Sequence, residues 1–139
     1  MRLLLTGLLL LGSLFTHASE LQRSYAFPGQ QDLGYAQVVR VGDTLHLSGI
    51  ATQGKDMAEQ VTNVYRIIQR TLENHGSNMG LVISERVSVT DMDALIAAAE
   101  KRKAFYPKNQ YPASSWYQIS RLYTPSAMIE VEIIAKVQE

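Results

Sequence analysis

The stretch YAQVVRVGDTLHLSGI, from Tyr35 to Ile50, consists of two β-rich runs on either side of Gly42-Asp43. The first run is rich in valine. The second, Thr44 to Ile50, alternates: Leu45 and Leu47 point one way, and Thr44, His46 and Ser48 point the other. Gly-Asp supplies the turn chemistry that joins antiparallel strands, so the stretch reads as a β-hairpin with one apolar face. That face needs a cover, and the sequence downstream offers one.

Asp56 opens a helix, with Asp56 and Glu59 at capping-box spacing. Met57, Val61, Val64, Ile68 and Leu72 recur at steps of four, three, four and four. This is a single apolar stripe suited to packing on a sheet. Gly76, after His75, is a natural left-handed stop. Ile83 to Thr90 (ISERVSVT) sets Ile83, Val87 and Val89 against Ser84, Arg86 and Ser88, and Glu85 interrupts the apolar face. It reads as a third strand. Asp91 or Asp93 caps a second helix that runs through Leu95, Ile96, Ala99 and Lys103 to about Tyr106. Pro107 and Pro112 bracket a loop. Ser114 to Leu122 (SSWYQISRL) and Met128 to Val137 (MIEVEIIAKV) are the last two strands, joined across Tyr123-Thr124-Pro125-Ser126.

The expected order is β-β-α-β-α-β-β, without internal repeat or linker. That is an α+β, two-layer domain with two helices on one face of a mixed sheet. Trp116, Val131 and Ile133 are expected on the sheet's other face. An apolar second face needs its own cover, and self-association supplies it.

Upstream, residues 19–33 show no sustained period and contain the turn signal Pro28-Gly29. They read as an N-terminal arm. Residues 1–18 begin with Arg2, continue as an apolar run from Leu3 to Phe15, and leave through Thr16-His17-Ala18-Ser19. A basic start, a short apolar run and a small-residue exit are the pattern of a secretory signal peptide. The run covers about 13 residues, whereas a spanning helix needs roughly 20. The alternative is a buried N-terminal helix. Cleavage after Ala18 gives an exported, periplasmic chain without a membrane anchor. It removes Arg2 and leaves 12 basic against 13 acidic residues.

The whole sequence has 139 residues, with 13 Lys+Arg balanced by 13 Asp+Glu. The length suits one domain. The balance excludes both a strongly basic nucleic-acid binder and an acidic disordered tail. With no cysteine, disulfides, thiolate metal sites and a cysteine nucleophile are excluded. Three histidines do not argue for a metal cluster.

Four stretches together resemble the RidA/YjgF family of small trimeric proteins, over about Leu33 to Val137. Leu33-Gly34-Tyr35-Ala36-Gln37 is similar to the family's opening. Val41-Gly42-Asp43 with Leu47-Ser48-Gly49 is similar to its first hairpin. Val87-Ser88-Val89-Thr90-Asp91-Met92 is similar to its third strand entering the second helix. Pro112-Ala113-Ser114-Ser115, Arg121-Leu122 and Ile129-Glu130-Val131-Glu132-Ile133-Ile134-Ala135 are similar to its closing segment. With the segments read above, the chain divides into a signal peptide (1–18), an arm (19–33) and, by the resemblance, a RidA-like domain (34–139). It implies a chorismate-mutase-like fold and a homotrimer with small-molecule clefts between subunits. It also implies hydrolysis of reactive enamines and imines to carbonyl products and ammonia, without metal or organic cofactor. Such chemistry uses a guanidinium to clamp a substrate carboxylate. It also uses a carboxyl group and backbone carbonyls to aim water at the C=N carbon.

The resemblance places Glu132 as the water-positioning carboxylate. Glu130 shares its face by period two, and the plain alternative is that both line a polar strand face. Tyr35, Ser48, Gly49, Ser114 and Arg121 are placed in the cleft. For Tyr35 the alternative is a half-buried strand aromatic, and for Arg121 an interface or surface salt bridge. Ser114 stands where active family members carry the clamping arginine, and Ile50 replaces a usual polar residue. Losing a charge-assisted contact costs on the order of 2–5 kcal/mol when its partner stays desolvated. Arg86 reads either as trimer interior or as solvated. The run Glu100-Lys101-Arg102-Lys103 reads as a solvated helix face. His46 and His75 read as structural or surface groups, and Trp116 and Tyr117 as core or interface. Two functions remain open: a divergent imine/enamine deaminase, or a non-catalytic trimer that binds a small molecule or a protein partner. RNA cleavage is disfavoured, because the chain offers neither a basic patch nor a histidine pair.

Overall fold

The computed structural model describes residues 20–138. The expected signal peptide, its cleavage site and the alternative N-terminal helix lie outside these residues. The elements are β1 (Leu21–Ser24), α1 (Gly29–Asp32), β2 (Val38–Val41), β3 (Thr44–Ala51), α2 (Met57–Asn74), β4 (Val82–Val89), α3 (Met92–Ala97), α4 (Ala99–Lys103), β5 (Ala113–Gln118) and β6 (Ile129–Lys136). They form one six-stranded sheet in the order β1-β2-β3-β6-β4-β5. Only the β4–β5 pair is parallel, which makes the sheet mixed as expected.

The α2 stripe does what its spacing requires. Met57, Val61, Val64, Ile68 and Leu72 are all buried, and Tyr65 joins them. They pack against the inward residues of β3 and β6: Leu45, Leu47, Ile50, Ile129, Val131, Ile133 and Ala135. Asp56 caps the helix by accepting from the Glu59 amide at 2.8 Å. Glu59 returns a bond to the Lys55 amide, one residue earlier than a capping box requires. Gly76 ends the helix at φ 74°, in the left-handed region where glycine carries no Cβ penalty.

The sheet differs from expectation in four places. The arm contains a strand: β1 pairs antiparallel with β2, from Leu21 opposite Val41 to Ser24 opposite Val38. Its LQRS sequence has no alternation to read because it is held by the backbone ladder rather than by burial. The second helix breaks at Ala98 into α3 and α4, and its expected tail to Tyr106 continues only as i→i+3 turns. β5 ends at Gln118 rather than Leu122. Finally, Val131 and Ile133 lie on the helix-covered face, at 0% and 1% exposure. Trp116 lies on that face too, because it pairs with buried Val87. Register decides this: Val87 opposes Val131 and Leu47 opposes Ile133, so all share one side. The outer face carries Val39, His46, Ser84, Arg86, Glu132 and Ile134 instead.

Candidate functional site

The outer side of the sheet is organised by a bulge. Leu47 opposes Ile133 and Ile50 opposes Val131, so Ser48 and Gly49 together stand across from Glu132 alone. An extra residue in one strand leaves a carbonyl without its ladder partner and re-aims what lies beside it. Here the Gln37 side chain takes the place of the ladder by donating to the Ser48 carbonyl at 3.0 Å. The Ser48 amide bonds the Gln37 carbonyl at 2.9 Å, and the Ser48 hydroxyl donates to the Ala36 carbonyl at 2.7 Å. Behind Gln37 sits Gln30, fully buried in α1. Its amide nitrogen donates to Gln37 at 2.7 Å and to the Tyr35 hydroxyl at 3.4 Å, and its oxygen accepts from the Ala26 amide at 2.7 Å. The arm therefore fixes the strand that carries Ser48 and Gly49.

Glu130 lies over that bulge. A Cβ on Gly49 would overlap the Glu130 side chain, so only glycine lets the carboxyl sit there. Burial raises the Glu130 pKa above the ordinary 4.5, and the nearby charge of Glu132 raises it further. Glu132 pairs with Arg86 at 3.6 Å across β4 and β6. Ser48, Arg86 and Glu132 line an open concavity of about 340 Å³, with Val39, His46 and Tyr117 among its walls.

A second constellation occupies the helix side. Glu85, the residue that interrupts the β4 apolar face, is buried at 3% exposure. Burying a carboxylate demands partners, and Glu85 has them in full. Its Oε2 accepts from the Tyr65 and Tyr106 hydroxyls at 2.8 and 2.7 Å. Its Oε1 accepts from Arg102 Nε at 2.7 Å and from the Ser114 hydroxyl at 2.6 Å, and a second Arg102 nitrogen closes the ion pair. Burial and the Glu85 charge both push the two phenols well above the ordinary tyrosine range, so they remain donors. Burial works against the Arg102 charge, but Glu85 outweighs it and holds the guanidinium above its ordinary pKa. Arg102 also lies over the Tyr106 and Trp116 rings, at 5.1 and 5.6 Å to their centroids. Trp116 Nε1 donates to the Ser114 oxygen at 2.7 Å. Ser114, Trp116, Arg102, Lys103, Tyr111 and Pro112 line a concavity of about 500 Å³.

Residues 30–137 match a family model described as Endoribonuclease L-PSP. The chain belongs to this family. Solved structures of YjgF and RidA proteins agree with it. A YjgF-family protein from Neisseria meningitidis superposes with a TM-score of 0.78 at 23% identity, covering 88% of this chain and 99% of its own. A YjgF-family protein from Mycobacterium tuberculosis gives 0.77 at 25% identity, covering 85% and 100%. RidA from a Psychrobacter species gives 0.71 at 23%, covering 87% and 99%. Among curated proteins, no sequence matches the chain.

Within this RidA/YjgF chain, the expected site residues divide. Ser48 and Glu132 share the outer concavity, and Gly49 and Glu130 adjoin it. Ser114 lies on the opposite side of the sheet, bonded to Glu85. Tyr35 is 38% exposed beside Gln30, and Arg121 donates to the neighbouring Leu122 carbonyl at 3.3 Å; both lie outside the two concavities. The run Glu100 to Lys103 is not wholly solvated, because Arg102 is turned inward onto Glu85. Glu85, Arg102, Tyr65, Tyr106 and Gln30 are structurally central, and the sequence reading did not name them as site residues. The signal for Glu85 was present: a charge on an apolar strand face requires a buried partner.

Proposed function

We propose that this chain is an exported RidA/YjgF protein that hydrolyses reactive imines and enamines in clefts of a homotrimer. The reaction is R2C=NH + H2O → R2C=O + NH3. Water adds to the C=N carbon, the nitrogen gains protons, and the C–N bond breaks. The observation that carries this reading is the Glu130 carboxyl laid over Gly49, with its pKa raised, beside Glu132. Two carboxyls in unlike surroundings can divide acid and base work. Glu132, held by Arg86, positions the water. Glu130 keeps its proton to higher pH and passes it toward the imine nitrogen. No metal or organic cofactor enters this scheme.

The experiment generates imines in situ with an oxidase and traps the unhydrolysed fraction with semicarbazide. Added protein lowers the trapping rate. Glu132→Ala and Glu130→Gln remove the effect, each by about a hundredfold. A native protein that leaves trapping unchanged for every imine would sink the reading.

One observation favours a second reading, a trimer that binds a small molecule or protein partner without turnover. At position 114 the hydroxyl already donates to Glu85 and accepts from Trp116, so no free donor remains there to clamp a substrate. Saturable ligand binding by calorimetry, with no turnover, would select this reading over the first.

A further inference from the structure

We infer that the concavity on the helix side receives an uncharged planar group and discriminates against carboxylates. This goes beyond the proposed imine hydrolysis, since the concavity lies across the sheet from Glu130 and Glu132. The binding preference stands on the walls themselves. The concavity has about 500 Å³, room for a ring-bearing small molecule. Its apolar walls are Trp116, Tyr111 and Pro112, with the Tyr106 ring edge-on behind Tyr111.

Two cations line it, and each is already matched. Arg102 is paired with buried Glu85, and its guanidinium lies over the Tyr106 and Trp116 rings. Lys103 is paired with Glu100 at 2.7 Å. Ser114 has spent its proton on Glu85 and a lone pair on Trp116. A carboxylate entering here would lose water and find neither an unmatched charge nor a free hydroxyl. It would also approach the Glu85 carboxylate. A cationic ligand would likewise lose water and find no unmatched carboxylate, so it is disfavoured in turn. A neutral planar group loses little on desolvation and gains stacking on Trp116 and Tyr111.

Trp116 is the single tryptophan in the sequence, so its emission reports this concavity alone. The test titrates the purified chain with benzamide, benzoate and benzylamine, which share one ring and differ in charge. Benzamide is expected to change Trp116 emission saturably. Benzoate and benzylamine are expected to bind about tenfold more weakly or less. Tyr111→Ala is expected to weaken benzamide about fivefold or more, as the loss of one stacking wall. Ser114→Arg introduces an unmatched cation and is expected to narrow or invert the gap between benzamide and benzoate. Benzoate binding as tightly as benzamide to the native chain overturns the inference. So does the absence of any saturable response to benzamide, or a benzamide response untouched by Tyr111→Ala. None of these readouts needs turnover. A chain that prefers benzamide but hydrolyses nothing keeps this inference and loses the deaminase reading. A chain that hydrolyses imines but prefers benzoate does the reverse.

Discussion

Glu130 and Glu85 are both carboxyls on β6 and β4, and their neighbours give them opposite roles. Glu130 is partly desolvated with no cation bonded to it, and its pKa is raised. A raised carboxyl pKa means the folded state binds more protons than the unfolded state between the ordinary value of 4.5 and the raised one. Stability therefore falls as pH rises through that window. Glu130→Gln is expected to unfold like the native chain at pH below the ordinary Glu value and at higher denaturant above it, as read from urea midpoints across pH. Glu85 is fully partnered by Arg102, Tyr65, Tyr106 and Ser114. Arg102→Met removes the only cation of that cluster and is expected to cost about 3–5 kcal/mol in urea unfolding. Adding Glu85→Gln to Arg102→Met is expected to recover part of the loss, since the stranded charge is then gone. The sequence showed Glu85 as a break in the alternation of β4. It did not show Arg102 as the partner, because Arg102 sits in a charged run whose other members are exposed.

At the scale of elements, α2 was legible to the residue because one stripe, one cap and one glycine stop agree. The exposed Asp56 side chain bonds the helix through the cap alone, and the Asp56 carbonyl still accepts from the Gln60 amide after substitution, so Asp56→Ala isolates the cap bond. The expected loss is about 1 kcal/mol in thermal or urea unfolding. β2, β3, β4 and β6 were legible for the same reason: period two survives wherever one face is buried. Where burial does not act, nothing could be read. β1 is exposed along most of its length and depends on backbone pairing with β2. The bulge at Ser48 and Gly49 marks the sequence only as a step of three from Leu47 to Ile50, too slight to read alone, although it positions Glu130 and explains why position 49 is glycine. The two faces of β6 were assigned the wrong way round for Val131 and Ile133. Alternation separates faces but does not say which one the helices cover.

At the scale of the molecule, the helices cover one face of the sheet and the other carries Val39, Val41, Ile134 and Tyr117 among charged groups. Val41 and Tyr117 remain 36% and 51% exposed. A homotrimer that buries this side accounts for those residues. Light scattering is expected to give three chain masses for the native protein, and Ile134→Lys is expected to shift the mass toward one chain by setting a charge into the contact. Self-association also bears on the proposed catalysis: Ser114 and Glu132 lie on opposite sides of the sheet within one chain, and the proposed trimer is expected to bring them together across a subunit boundary. The fold and family were therefore legible from one chain, whereas the set of residues that completes the proposed cleft was not. The most direct test of the central claim is the rate at which semicarbazide traps an imine made by an amine oxidase, measured with and without the protein. The account predicts a slower rate with the native protein and no change with Glu132→Ala or Glu130→Gln. A native protein that leaves the trapping of every imine unchanged would contradict it.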